Sequence, residues 1–220
     1  MRTRLIHIVL KRTPIQLILP FAVAYVILPT IGVMSYQSSG AADSQRMMIY
    51  AVQIFLPICA LLWPMAYMQM WVDDDCIEAL IACNHRHKSC LAEILLLYLL
   101  YVVMLLPPSA VFFITYGFMP LEYVRIAVQC LFATTVFYTA TMLFRNVTLG
   151  SLPIITYLFI CICFSGNTDF QALSIIKPTA IYTLGEMVDN YSVYVFVSTL
   201  LLCIFAFGRN FCSGRIKQRR

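Results

Sequence analysis

Six stretches free of charged side chains, residues 13–42, 47–72, 94–121, 126–144, 146–168 and 190–208, constrain this chain more than any other feature of it. They hold 30, 26, 28, 19, 23 and 19 residues. A helix needs about 20 apolar residues, rising about 1.5 Å each, to cross hydrocarbon about 30 Å thick, so every stretch can span. Lipid offers no partner to a backbone N–H or C=O, and the strict alternation of a barrel strand is missing, which leaves the helix. Composition agrees: 61% of the 220 residues are hydrophobic and 11% charged, against about 45–50% and about 25% in soluble domains. The expected fold is an all-α integral membrane protein with six transmembrane helices.

Orientation follows from Lys and Arg, which are retained on the cytoplasmic side of membrane spans. Six spans bring both termini to one side. With that side inside, the cytoplasm holds 12 basic residues and the outside only Arg46, Arg125 and Lys177. The expected location is the cell (inner) membrane, multi-pass, with both termini cytoplasmic. The same bias accounts for the net charge of +5 without nucleic acid. The apolar run after Met1 to Lys11 is too long for a signal-peptide h-region and lacks a small-residue cleavage site, so it reads as retained. Cysteines and histidines placed in the cytoplasm or the membrane imply no disulfide framework.

Residues 1–13 read as an interfacial elbow helix, with Leu5, Ile6, Ile8, Val9 and Leu10 among Arg2, Arg4, His7, Lys11 and Arg12. Residues 14–208 form the transmembrane domain, and residues 209–220 a basic tail suited to anionic headgroups. Span 1 runs from about Ile15 to Tyr36, and Ser38, Ser39, Gly40 and Asp43 make a short outer loop. Span 2 covers about Met47 to Met70 with kinks at Pro57 and Pro64, and span 3 about Leu91 to Tyr116 with a bend at Pro107 and Pro108. Span 4 ends at Phe144, Arg145 and Asn146 form a tight turn, span 5 covers about Leu149 to Phe164, and span 6 about Tyr191 to Phe207. Residues 71–90 are too apolar at Ile77, Ala79, Leu80 and Ile81 for a loop; acid at the start and base at the end suit an amphipathic helix and its macrodipole. Residues 166–190 contain two apolar pieces, 170–176 and 180–188, each too short to span, and read as short re-entrant or interfacial helices.

Chemistry-bearing groups are sparse. No ionisable residue lies at a span centre; Glu93, Glu122, Arg125 and Arg145 sit near the expected interfaces, where they are read as snorkelling. Gln53, Gln129, Thr134, Thr135, Thr139 and Thr141 are the polar intramembrane residues, read as interhelical hydrogen-bonding groups. Cys83, His85, His87 and Cys90 have zinc-ligand chemistry, but the two histidines point to different sides of a helix and Arg86 and Lys88 disfavour a cation, so no metal is expected. Cys76, Cys83 and Cys90 share a helix stripe and read as packing residues. The Asn-x-Ser/Thr patterns at Asn190 and Asn146 respectively abut a span and face the inside, which speaks against glycosylation. No GxxxxGK[ST] phosphate loop occurs, so the chain is expected neither to hydrolyse ATP nor to be an enzyme, and to carry no cofactor.

The order of elements resembles the permease subunits of ABC-2 type ATP-binding-cassette exporters. In that family, acidic residues after span 2 precede a Gly-Thr-Leu-Glu-Leu-Leu-like pattern and a basic residue; Asp73, Asp74, Ile77, Glu78, Leu80 and Arg86 stand at matching places, while Asp75, Cys76 and Asn84 replace the glycine, the threonine and the usual proline. The resemblance implies that residues 71–90 are a coupling helix docking on a separate cytoplasmic ATPase subunit, which would hold the ATP and Mg. Asp73, Asp74, Asp75, Glu78, Arg86 and Lys88 would face that subunit, with Leu80 and Ile81 packed beneath. It further implies a second permease chain, a path lined by spans 2 and 5 with Gln53, Tyr67, Thr156 and Tyr157 as candidates, and an outer cap from residues 170–188. An apolar, aromatic and Met-rich lining suits an amphiphilic substrate, peptide, lipid-like or drug-like. Two other classes compete: a non-transporting accessory or assembly membrane protein, in which the inner helix tolerates charge reversal, and a membrane-embedded lipid-modifying enzyme, supported only by His85, His87, Asp73, Asp74 and Asp75.

Overall fold

A computed structural model describes residues 14–72, 91–116, 120–164, 170, 173–177, 179, 181 and 183–217. The elbow helix at residues 1–13 and the charged stretch 73–90, with Asp73, Asp74, Asp75, Glu78, Leu80, Ile81, Arg86 and Lys88, lie outside the described residues. Every regular element among those described is helical: α1 (Pro14–Ala22), a π-turn (Val23–Ile27), α2 (Leu28–Ala60), α3 (Leu62–Val72), α4 (Leu91–Met104), α5 (Leu106–Tyr116), α6 (Pro120–Phe144), α7 (Val147–Cys163) and α8 (Leu184–Lys217). Together they give five helices long and apolar enough to cross a membrane, Ile18–Ser38, Asp43–Gln69, Leu91–Thr115, Pro120–Phe144 and Leu184–Phe205, the mark of a multi-pass membrane protein. The fifth apolar stretch, residues 146–168, forms the shorter α7, of 17 residues.

The first two spans are joined without a conventional loop. Helical geometry fails inside α2 at Gly40 alone, where φ is 81° and ψ is 179°. That combination is open only to glycine, and the chain turns there. Ser35 Oγ donates to Met47 Sδ at 3.3 Å across the bend, holding the two halves side by side. The expected loop at residues 38–43 is therefore a single non-helical residue, because one glycine supplies the whole reversal.

Two of the expected proline breaks appear, each three residues before the ring, whereas α2 runs through Pro57 without one. Pro64 and Pro108 cannot donate to the carbonyls four residues back. The helix relaxes at Leu61 and at Leu105, where Leu61 N–H donates to Ile58 O at 3.2 Å and Leu105 N–H is shared between Tyr101 O and Val102 O at 3.1 Å each. The carbonyl that Pro108 leaves free, Met104 O, accepts instead from Tyr25 Oη at 2.9 Å. A neighbouring helix thus repairs the deficit, as burial away from water requires.

Tyrosines tie α4 to its neighbours in the same way. Tyr101 Oη donates to Leu56 O at 2.8 Å, Tyr98 Oη to Ala127 O at 3.0 Å, and Tyr123 Oη of α6 to Val102 O at 2.7 Å. These are long-range bonds from side chains to main chain, and they fix register between the helices they join.

The second half of α2 and the whole of α6 form the centre. In their most apolar windows 61% and 56% of residues are buried, against 17% for the span in α8. The α6–α7 hairpin is the tightest junction. Arg145, at φ 51°, turns the chain, and Asn146 caps α7 by accepting from Leu149 N–H at 2.9 Å. Close approach needs a residue without Cβ: a methyl at Gly150 would lie 2.1 Å from Thr141 Oγ1 and 2.6 Å from Thr141 Cα. Gly150 therefore fits the small-residue contact common between membrane helices.

The last span starts earlier than its uncharged run implies. Thr183 Oγ1 accepts from Glu186 N–H at 3.2 Å while Thr183 N–H donates to Glu186 Oε2 at 3.3 Å, a capping box that starts α8 at Leu184 rather than near Tyr191. The second of the two short outer pieces, expected at residues 180–188, thus contributes its latter half to α8. Of the first, expected at residues 170–176, Phe170 is helical and accepts from Leu173 N–H and Ser174 N–H at 3.0 Å, and residues 173–176 are a turn, a bend and irregular chain.

Candidate functional site

The polar centre of the molecule lies on one face of α6. Glu122, Arg125 and Gln129 are spaced i, i+3, i+7, which stacks them along one side of a helix. Glu122 and Arg125 are 1% and 0% exposed, so the snorkelling reading of these two residues is overturned. Their positions near a helix end did suggest an interface, but the backbone of Lys177, Thr179 and Ile181 meets them there, away from solvent. Arg145, by contrast, is exposed.

The buried charges are paired. Arg125 Nη1 lies 3.0 and 2.9 Å from the two Glu122 carboxylate oxygens. Arg125 Nε donates to Tyr191 Oη at 2.8 Å, and its guanidinium carbon lies 5.5 Å from the centre of the Tyr191 ring. The remaining donors go to main chain: Nη1 to Thr179 O at 2.9 Å and Nη2 to Lys177 O. Leaving either charge alone here would cost several kcal/mol, whereas the paired, hydrogen-bonded arrangement offsets most of that desolvation.

Two glutamines extend the network. Gln129 Nε2 donates to Gln53 Oε1 at 3.1 Å and to Ile175 O at 2.7 Å. The interhelical role expected of Gln53 and Gln129 is therefore observed. Gln53 also pairs with Lys177 at both ends of its amide: Nε2 donates to Lys177 O at 2.8 Å and Oε1 accepts from Lys177 N–H at 2.9 Å. Ile181 N–H donates to Glu122 Oε1 at 2.7 Å. Tyr191 Oη donates to Ile175 O at 3.1 Å, and Tyr157 and Tyr194 each donate to Leu173 O at 2.9 Å.

The threonines behave differently. Thr139 Oγ1 bonds back to Thr135 O in its own helix at 3.0 Å, while the buried hydroxyls of Thr134 and Thr141 have no hydrogen-bond partner among the described residues. Lys177 Nζ donates to Asn190 Oδ1 at 2.5 Å. Desolvation, and then the nearby Arg125 charge, hold its pKa below the usual 10.5.

Of the four residues expected along a path, Gln53 and Tyr157 both grip residues 173–177, Tyr67 is buried on α3 beyond the Leu61 break, and Thr156 is exposed. An open cavity of about 240 Å³, lined by Val33, Tyr36, Gln37 and Thr115, lies between the ends of the first and third candidate spans. Among the described residues no three His, Cys, Asp or Glu side chains gather where a metal ion could be held.

The sequence shows Glu122, Arg125 and Gln129 on one helical face, and that spacing is the signal that could have marked the cluster. Nothing in it shows that residues 173–181 supply the partners. Compared with known proteins, the chain matches no family model, no curated protein and no solved structure.

Proposed function

We propose that this chain is the membrane-spanning permease subunit of an ABC-2 type exporter, moving an amphiphilic substrate with ATP hydrolysed by a separate subunit. The observation that carries this reading is the charged stretch 73–90. It lies between α3 and α4, the ends of the second and third candidate spans, with Asp73, Asp74 and Asp75 at its start and Arg86 and Lys88 near its end. A stretch anchored at both ends to spans can pass a tilt into the bundle, since packed helices shift between discrete arrangements. In this reading α7 is the fifth of six spans, its 17 residues giving about 25 Å, the lower limit for crossing. Both termini and the 73–90 stretch are then cytoplasmic, and residues 173–183 re-enter the bundle from the outer side as a cap. A second permease chain completes the path.

The test is co-purification with the ATP-binding-cassette subunit and comparison of Glu78→Lys and Asp74→Lys with the parent. Loss of substrate-stimulated ATP hydrolysis, with the fold retained, is expected. Unchanged complex formation and unchanged hydrolysis in both variants would remove the coupling assignment and favour an accessory membrane protein.

A further inference from the structure

Spans 1, 2 and 3 are each interrupted shortly before a proline, whereas α6 runs unbroken from Pro120 to Phe144. In span 1, Pro29 has no N–H for Tyr25 O, and Leu28 N–H reaches back five residues to Val23 O, forming the π-turn Val23–Ile27. Spans 2 and 3 give way at Leu61 and Leu105. A helix bends most readily where its ladder of i→i−4 bonds is incomplete, and π-turns recur at functional sites.

The three interruptions touch one another. Trp63, two residues past Leu61, lies 5.9 Å centre to centre from the Phe21 ring of span 1 and 5.9 Å, edge-on, from the Tyr101 ring of span 3. Tyr101 O is one of the two carbonyls that share Leu105 N–H. Phe21 stacks on Tyr25 at 6.2 Å, and Tyr25, within the π-turn, donates to Met104 O beside Leu105. Every pair of interruptions is thus joined by a ring contact or a hydrogen bond. Closely packed side chains shift between discrete arrangements rather than deform, so a bend at one interruption displaces groups seated at the other two.

We infer that the π-turn and the breaks at Leu61 and Leu105 form one linked hinge, through which spans 1, 2 and 3 bend together. Tyr98 and Tyr123 fasten α4 to α6, which makes those two helices the frame against which the others tilt. α3 leads directly into residues 73–90, and the far ends of spans 1 and 3 border the cavity at Val33, Tyr36, Gln37 and Thr115. A tilt applied to α3 therefore reaches that cavity through Trp63, Phe21 and Tyr25. Its use in coupling to an ATPase rests on the transport reading above, whereas the linkage itself does not.

The experiment is hydrogen exchange of the full chain in lipid nanodiscs, read by mass spectrometry at residues 23–28, 58–64 and 101–106, with residues 190–205 of α8 as the reference. Pro64→Ala gives residue 64 an N–H for Ala60 O and should slow exchange at 58–64. Linkage predicts slowing by about fivefold or more at 23–28 and 101–106 as well, with 190–205 unchanged. Adding Phe21→Ala and Tyr25→Phe, which disconnect span 1 from spans 2 and 3, should abolish the effect at 23–28 and leave that at 101–106. Slowing confined to 58–64, a change extending to 190–205, or an effect at 23–28 that survives both added substitutions would overturn the hinge. Should Pro64→Ala fail to fold, Pro108→Ala read at 23–28 and 58–64 decides in the same way. Failure to couple to an ATPase would remove the export reading and leave this result standing.

Discussion

Arg125 makes more of the interior polar bonds than any other described residue. It neutralises Glu122, orients Tyr191 and satisfies two carbonyls of the covering segment. Arg125→Met leaves a buried carboxylate without its counter-charge and Thr179 O without its donor, while Lys177 O keeps Gln53, so a loss of about 3–5 kcal/mol is expected, read as a fall in midpoint during unfolding in mild detergent. Glu122→Gln combined with Arg125→Met removes both charges. The double variant should be more stable than Arg125→Met alone; a pair no better than the single would show that the carbonyl bonds, not the charge, dominate. Lys177 gives a pH signature. Its pKa in the folded chain is below 10.5, so between the two values the unfolded chain binds more protons and stability rises with pH. The cost is fully present below the folded pKa and gone above the unfolded one. Stability of the parent should therefore climb toward pH 10.5 relative to Lys177→Gln, and a parallel pH course in the two would contradict it.

At the scale of elements, the helices are broken and joined by identifiable backbone chemistry. Tyr25 Oη satisfies the carbonyl that Pro108 leaves free. Tyr25→Phe should cost about 1 kcal/mol in the parent and less in a Pro108→Ala background, where the restored backbone N–H can reach Met104 O. Equal costs in both backgrounds would show that the two are not linked. The α6–α7 hairpin depends on Gly150, where an added methyl meets the backbone of Thr141 as well as its hydroxyl. Gly150→Ala should destabilise by about 1–3 kcal/mol in the same unfolding assay, and Thr141→Ala should not rescue it, because the Cα and N of residue 141 remain in the way. Rescue would mean that the helices separate easily and that the close approach is incidental. Gly40 is the opposite case: nothing lies near its Cβ position, and only its φ of 81° excludes other residues.

For the molecule as a whole, the uncharged runs and their lengths specify a helical membrane bundle, because a backbone in hydrocarbon has few ways to satisfy its own hydrogen bonds. The prolines give the approximate places of the breaks, the Arg145–Asn146 turn the α6–α7 junction, and Gln53 and Gln129 the interhelical bonding. All of these depend on chemistry local to a few residues. What the tertiary structure alone decided is the fate of Glu122 and Arg125, which local position reads as interfacial and the fold buries. It also decided that a single glycine replaces the first outer loop and that α8 begins at the cap formed by Thr183. The reason for the first is that the partners of Arg125 and Gln53 are carbonyls and N–H groups more than 50 residues away. Main-chain groups are present at nearly every residue, so no side-chain pattern shows which of them a buried polar group will meet.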